Sequence, residues 1–243
     1  MIALNILSLE TSAQRCSVAL QRGQLDNPKS LSFLQDNESL SHSRSLLPMV
    51  EQLLQQAGLS LAELDCIAVS RGPGSFTGLR IGIAVAQGLA FGQQLPVVPV
   101  SSLAAVAFSA TNSWKNTHPQ VNHVLATMDA RMGEVYCGWF DISNEKPVLL
   151  GNEAVLNPAA IKPIETTRLN PSEKIGNAAI VGTGLSYREQ FPADINPDHY
   201  LLDDSVVPDA RALVPLASQA YALGQAITAE ALTPVYLRNN VTY

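Results

Sequence analysis

The chain has 243 residues, is 47% hydrophobic and carries a formal net charge of −6 without any run of Lys or Arg. This size is sufficient for one large or two small buried cores, and the charge argues against an independent nucleic-acid-binding surface. The three cysteines form no C-x-x-C pair, the first residues lack the positive region of a signal peptide, and the most apolar stretch, residues 81–91, is too short to span a bilayer. We therefore expect a protein of the reducing cytosol with no membrane partner.

The first half of the chain predicts the order β-β-β-α-β-α-β-α. Apolar or alternating runs predict strands at 2–9, 16–20, 30–34, 66–70 and 97–100. Between and after them, apolar residues at three-to-four-residue spacing predict helices at 46–57, 76–91 and 101–108. Ser43 or Ser45 is expected to cap the first helix, and Gly92 is expected to close the second. Pro48 is acceptable only if it lies in a first helical turn.

The second half partly repeats this order. The polar residues 111–120 predict a domain boundary, which gives domains 1–110 and 111–243. Strands are predicted at 123–128, 134–140, 147–150 and 179–181, and helices at 158–161, 186–190 and 209–227. Two copies of one β-β-β-α-β-α unit predict an α/β fold with a degenerate second copy. The last predicted helix, 209–227, lies within the second domain by its position in the sequence. The alternative is that it packs against the first domain.

A glycine-rich turn, residues 72–78, joins a predicted strand to a predicted helix. Glycines let the backbone approach a ligand, and a helix N-terminus offers free N–H groups, so the turn suits an anion. No Gly-Lys-Ser/Thr follows, which excludes a Walker loop. A phosphate cradle and a tight turn without ligand both remain open. The candidate phosphate-binding residues are Glu10, Thr11, Gly72, Gly74 and Gly182. For Glu10 and Thr11, in the first predicted hairpin, and for Gly182, the alternative is an ordinary turn.

The helix after this turn has a stripe of small residues at Gly78, Gly82, Ala86 and Ala90. Such a stripe permits close approach of a second helix. The second helix is either the one at 46–57 in this chain or a helix of a partner chain. The candidate interface residues are Leu46, Leu47, Val50, Leu53, Leu54, Gly78, Gly82 and Ala86.

The sequence carries no pattern typical of a catalytic centre. The four histidines, at 42, 118, 123 and 199, share no helical spacing, and no G-x-S-x-G elbow is present. Asp129 and Arg131 lie in the first predicted hairpin of the second half. They pair across a cleft, contact a partner or form a salt bridge that stabilises the turn, and the sequence leaves these alternatives open.

Residues 72–82, GPGSFTGLRIG, closely resemble the most specific signature of the TsaB (YeaZ) family. Leu9-Glu10-Thr11-Ser12, residues 128–136 (MDARMGEVY) and residues 234–238 (PVYLR) are similar to its other hallmarks. The resemblance covers the whole chain and is densest over residues 1–140. It implies the ASKHA fold, the actin/hexokinase/Hsp70 class, with two β-β-β-α-β-α domains.

The resemblance also implies a function. Members act in forming threonylcarbamoyladenosine at position 37 of tRNAs that read codons beginning with A. A TsaD-type paralogue is the catalytic subunit and binds through helices of the first domain, and a TsaE-type ATPase joins them. The resemblance therefore implies a scaffold with no catalytic residues, no metal and no cofactor of its own, with ATP or ADP bound only within the complex. It further implies only indirect contact with tRNA and a homodimer when the chain is alone.

The catalytic paralogue carries H-x-x-x-H on the helix after a Pro-hydrophobic-hydrophobic strand. The matching positions here are Ser102 and Val106, neither of which suits that metal. Glu10 stands where the fold usually has Asp, which argues against tight ATP chemistry at that hairpin. A nucleotide-binding regulator and a metallopeptidase-like enzyme are the alternatives to the scaffold.

Overall fold

The structure, a computed structural model, describes residues 3–23, 31–36, 42–114, 116–144, 146–164, 178–195 and 200–238. The chain divides into two compact units. The first comprises Met1–Ala105 and Pro208–Val235, and the second comprises Val106–Val207 and Tyr236–Tyr243. The division therefore falls before the polar stretch at 111–120 rather than in it, and residues 208–235 belong to the first unit. The predicted strand positions 2 and 30, and His199, lie outside the described residues.

The first unit contains a five-stranded mixed sheet. Its strands are β1 (Ile6–Glu10), β2 (Ser17–Gln21), β3 (Leu31–Gln35), β4 (Cys66–Gly72) and β5 (Val97–Ser101). The order is β3-β2-β1-β4-β5, with β1 antiparallel to β2 and parallel to β4. All five residues of β1 are buried, as expected of a central strand covered on both faces.

The second unit contains a sheet of the same topology. Its strands are β6 (His123–Arg131), β7 (Glu134–Asp141), β8 (Val148–Leu156), β9 (Ala178–Val181) and β10 (Leu201–Asp203). The order is β10-β9-β6-β7-β8, so that β6 is antiparallel to β7 and parallel to β9. Strand β8 is longer than predicted, and β10 was not predicted.

The repeated strand order confirms the predicted α/β fold with two ASKHA-type units. The α-helices are α1 (His42–Ala57), α2 (Phe76–Gln93), α3 (Ser102–Trp114) and α4 (Ala210–Ala222). In the second unit, short 3-10 turns at Pro158–Ala160 and Thr183–Gln190 occupy the positions of the predicted helices. Helix α4 contacts β1 and β2 and lies in the first unit. None of the helices described is long and apolar enough to cross a bilayer.

Several helix boundaries differ from the prediction. Helix α3 continues to Trp114, beyond the predicted end at 108. Helix α1 begins four residues before Leu46, which places Pro48 inside the helix rather than in its first turn. The missing N–H of Pro48 leaves the carbonyl of Arg44 without its usual partner, and Arg44 is exposed to solvent. Helix α2 continues through Gly92 to Gln93 and is capped by Gln94, which adopts the left-handed conformation. Helix α4 ends at Ala222, because Gly224 adopts a left-handed φ of 70° and the Gln225 N–H donates back to the Ala220 carbonyl at 2.9 Å. The chain beyond it forms a bridge from Ile227 to Val97 of β5.

Candidate functional site

Most of the predicted interface residues lie in the core of the first unit. Leu46, Val50, Leu53 and Leu54 of α1 are buried together with Ala86 of α2. Gly78 and Gly82 are also buried. Among the predicted residues only Leu47 is exposed, to 49%. The expectation that the whole set forms a free surface is therefore wrong, since the apolar stripe of α1 covers this chain's own sheet.

The small-residue stripe of α2 packs against the loop between β1 and β2. A Cβ atom placed on Gly78 would overlap the carbonyl oxygen of Thr11, and one placed on Gly82 would overlap the hydroxyl of Thr11. Glycine at these two positions is required by the close approach of Thr11. The loop therefore fills the first half of the stripe, whereas Ala86 and Ala90 in its second half belong to one core cluster with the leucines of α1. This agrees with the alternative in which the second helix is that of residues 46–57 in the same chain.

A second small-residue stripe of α2 faces outward. Ala84, Gly88 and Gly92 are exposed at four-residue spacing, and a Cβ atom at Gly88 or Gly92 would meet nothing within 4 Å. Two aromatic side chains border this stripe, with Phe76 exposed to 50% and Phe91 to 66%. An exposed face this apolar on a helix is typical of an interaction surface.

Arg80 marks the outward side of α2. It is the single charged residue between Phe76 and Gln93, it is exposed, and its guanidinium lies 3.8 Å from the centre of the Phe76 ring. Positions spaced by four from Arg80 are 84, 88 and 92, which is the outward stripe. The charge of Arg80 is therefore the sequence signal that separates the two stripes.

Helices α1 and α2 enclose an open groove of about 470 Å³. Its lining is mainly apolar and comes from α1, the turn after it and α2: Leu47, Val50, Glu51, Leu54, Gln55, Leu59, Leu61 and Leu89. We define the docking face as this groove together with the outward stripe of α2. It includes Leu47, Val50 and Leu54 of the predicted set, the last two as the floor of the groove.

The glycine turn is occupied by the chain itself. A Cβ on Gly74 would lie 2.5 Å from the carbonyl oxygen of Ser12, and one on Gly72 would lie 2.8 Å from that of Val235. The Ser75 N–H donates to the Ser12 carbonyl at 2.8 Å. The faces where a phosphate would have to lie against these glycines are therefore filled by backbone. This geometry favours the tight-turn alternative over the phosphate cradle.

Glu10 and Thr11, the predicted partners of a phosphate, are fully buried. The backbone N–H and the hydroxyl of Ser12 both donate to Glu10 Oε1 at 2.5 Å. Burial raises the pKa of Glu10 from 4.5 to about 7, although the bonds from Ser12 lower it. Glu10 therefore acts inside the chain as the acceptor that shapes the loop facing α2.

Gly182, the last candidate for phosphate, also serves packing. A Cβ at this position would overlap the carbonyl oxygen of Thr127 in β6. The Thr127 hydroxyl donates to the Val181 carbonyl at 2.7 Å. The turn after β9 is thus held directly against β6, as the ordinary-turn alternative requires.

Two positions of α3 are those that the family resemblance matches to the metal ligands of the catalytic paralogue. Ser102 and Val106 are fully buried in α3, and neither has an imidazole. Within the described residues no group of three or more His, Cys, Asp or Glu side chains is placed to hold a metal. His42 is buried with Nε2 3.1 Å from the Ala13 carbonyl, which is a structural contact.

Asp129 and Arg131 form an ion pair of 3.0 Å within the hairpin of β6 and β7. The Asp129 carboxylate also accepts the Arg131 N–H at 2.7 Å. Both contacts are local to the turn, as the salt-bridge alternative predicts.

Comparison with known proteins finds relatives that match nearly the whole chain. Residues 37–240 match the family model described as TsaD, tRNA N6-adenosine threonylcarbamoyltransferase. The tRNA threonylcarbamoyladenosine biosynthesis protein TsaB of Escherichia coli is 36% identical, covering 99% of this chain and 97% of the relative. The protein of the same name from Haemophilus influenzae is 35% identical, covering 99% and 96%. The solved structure of YeaZ from Pseudomonas aeruginosa is 39% identical, with a TM-score of 0.81 over 96% of this chain and 100% of that one.

Proposed function

The chain belongs to the TsaB (YeaZ) family, and we propose that it acts in the cytoplasm in the biosynthesis of tRNA threonylcarbamoyladenosine as a non-catalytic subunit. In this proposal it binds and activates a TsaD-type catalytic subunit, which modifies position 37 of tRNAs reading codons that begin with A. A TsaE-type ATPase joins the complex, and tRNA is contacted indirectly.

The residues at the paralogue's metal positions support the non-catalytic role. A catalytic metal centre needs several converging donors, most often imidazole or carboxylate. Ser102 offers one buried hydroxyl and Val106 offers none. A match to the transferase family model is therefore compatible with a chain that keeps the fold and not the metal chemistry.

The docking face carries the proposal of a partner. Phe76 and Phe91 expose aromatic rings on either side of Gly88, where a second helix can approach the backbone of α2 closely. Apolar burial contributes about 25 cal/mol per Å², so two half-exposed aromatic rings supply a favourable centre for an interface. We propose that a helix pair of the TsaD-type subunit occupies this face.

The same face accounts for the proposed homodimer of the isolated chain. An interface between two identical copies uses one self-complementary patch on each. Helix against helix at Gly88 satisfies this requirement. Binding of the TsaD-type subunit and self-association are then competing events, because both cover α2.

Gly88→Trp tests this interface. A tryptophan at Gly88 enters open space, so the fold is preserved, while close approach of a second helix is blocked. We expect affinity for a purified TsaD-type protein to fall at least 100-fold, and the homodimer to dissociate in analytical ultracentrifugation. Gly88→Ala is the matched control, since it adds only a methyl group and should keep binding within a few-fold.

Undiminished binding by Gly88→Trp would show that the partner docks elsewhere. The subunit role itself is tested by reconstitution of the tRNA modification with and without the chain. We expect product to form only when this chain, the TsaD-type subunit and the ATPase are all present. Product formed at the full rate without the chain would refute the proposed role.

A further inference from the structure

The chain continues beyond α4 as an irregular strap, residues 225–238, with one short 3-10 turn at Ala229–Ala231. The strap begins in the first unit, which extends to Val235, and ends in the second, which contains Arg238. Its last five residues, 234–238, are one of the segments that carry the family resemblance, and the proposed function gives them no role. Because the end of a chain frays unless it is tied down, the contacts of the strap decide whether it stays in place.

In the first unit the strap packs against α2. The Gln87 side chain of α2 donates from Nε2 to two carbonyl oxygens of the strap, that of Ala229 at 3.2 Å and that of Leu232 at 3.0 Å. Ala229 and Leu232 are themselves buried, in the same core cluster as Ile83 of α2. Gln87 is therefore a polar residue of an otherwise apolar helix whose side chain binds α2 to the strap.

The strap also contacts the glycine turn that precedes α2. The Val235 N–H donates to the Arg71 carbonyl at 2.8 Å, and the Val235 carbonyl oxygen lies 2.8 Å from where a Cβ of Gly72 would be. Gly72 has a φ of 106°, so both its backbone and the approach of the strap require glycine there. Two separate segments of the family resemblance, 72–82 and 234–238, thus meet at this contact.

Three residues after Val235, the hairpin of β6 and β7 holds the strap in the second unit. The Arg238 guanidinium donates to the Ala130 carbonyl at 3.2 Å and forms an ion pair with the Glu134 carboxylate. The Arg238 side chain is 22% exposed and that of Glu134 is 37% exposed, so the pair is screened less than one on the open surface. Arg238 therefore ties down the far end of the strap as described.

We propose that Arg238 is a positioning residue for α2. Its hold on the hairpin keeps the strap seated against Arg71 and Gln87, and the seated strap fixes the helix. Leu232 is the last buried residue of the described strap, so the segment after it depends on polar contacts, which open more readily than a buried core. The inference concerns this chain alone and applies whichever protein binds α2.

Hydrogen exchange of single backbone amides in the full chain tests this coupling. Arg238→Gln removes the ion pair with Glu134. We expect exchange of the Val235 amide to become at least 10-fold faster and that of Ile83 and Gln87 in α2 at least 3-fold faster, while amides of β1 exchange as in the wild type. Arg238→Lys keeps the charge beside Glu134 and should hold the Val235 amide within 3-fold of its wild-type rate.

Arg131→Gln is the matched control. It removes the other arginine of the same hairpin, which pairs with Asp129, and should leave the Val235 amide unchanged. Unchanged exchange of Val235 in Arg238→Gln overturns the proposal. So does faster exchange at Val235 without any change in α2, because the strap then opens independently of the helix.

An equal increase in β1 and α2 would also overturn the proposal, because it would report a general loss of stability. None of these outcomes requires a partner protein. The docking face is judged separately by the effect of Gly88→Trp on binding, so either inference can fail while the other stands.

Discussion

Replacing the buried Glu10 by Gln should change how the stability of the protein depends on pH. Burial raises the pKa of this carboxyl from 4.5 to about 7. Between these two values the folded chain holds a proton that the unfolded chain has released, so stability falls as pH rises through this window. At pH 5 the group is neutral in the folded state, and above pH 8 the folded state contains a buried carboxylate.

The magnitude follows from the difference in pKa. One pKa unit corresponds to about 1.4 kcal/mol, so a difference of roughly 2.5 units makes the wild type lose about 3 kcal/mol between pH 4.5 and pH 8. Glutamine keeps an oxygen that accepts both bonds from Ser12 and has no charge to bury. Glu10→Gln should therefore lack this loss and gain about 2.5 kcal/mol over the wild type on going from pH 5 to pH 8.5.

The assay is urea unfolding of both proteins at half-unit steps of pH. The informative quantity is the difference between the two free energies of unfolding, because every other titrating group cancels in it. A difference in free energy of unfolding that does not change with pH would reflect only the packing of the buried amide. If the two curves run parallel from pH 5 to pH 8.5, the carboxyl does not titrate in this range and the assigned burial of its charge is incorrect.

Two further predictions concern the glycines. Gly78→Ala should lower the free energy of unfolding by about 1–3 kcal/mol, because its methyl group overlaps the Thr11 carbonyl. Gly88→Ala should raise it by about 0.5–1 kcal/mol, because alanine has the higher helix propensity. Urea unfolding measures both, and equal effects at the two sites would contradict the packing described. Titration of the isolated chain with ATP or ADP in a calorimeter should give no binding in the micromolar range, because the Ser12 backbone fills the space beside Gly74. Micromolar binding there would restore the nucleotide-regulator alternative.

Strands with a clear local pattern were predictable from the sequence, and elements that depend on distant contacts were not. The apolar run of β4 and the polar–apolar alternation of β3 are visible in consecutive residues of the sequence. Strand β10 has three residues and exists because it pairs in parallel with β9. The end of α4 has a local signal in Gly224, which the predicted helix to 227 passed over. The chain after it forms a bridge between Ile227 and Val97, which are 130 positions apart. No local pattern contains such pairings.

The proposed docking face lies on the two helices that the sequence indicated, but only some of its residues were predicted. A helix that is apolar nearly all round gives no direction by periodicity alone, and both stripes of α2 have four-residue spacing. Large apolar residues of α1 were assigned to the interface although they cover the sheet of the first unit. Exposed Phe91 and Gly88 were missed because the terminal turn of a helix and a single glycine carry little weight in a pattern search.

The glycine turn at residues 72–78 shows what a glycine-rich sequence pattern establishes about a site. Gly72, Gly74 and Gly78 require that some group approach the backbone within the space of a missing Cβ. The pattern does not say whether that group is a phosphate oxygen or a carbonyl oxygen of the same chain, since both are acceptors that suit free N–H groups. Here the Ser12 carbonyl takes the bond from Ser75 N–H, and Glu10 shapes the loop that delivers it. The glycine turn can thus keep the resemblance to a nucleotide-binding fold while its Ser75 N–H binds this chain's own loop and holds α2 in place. The outward stripe of α2 stays exposed.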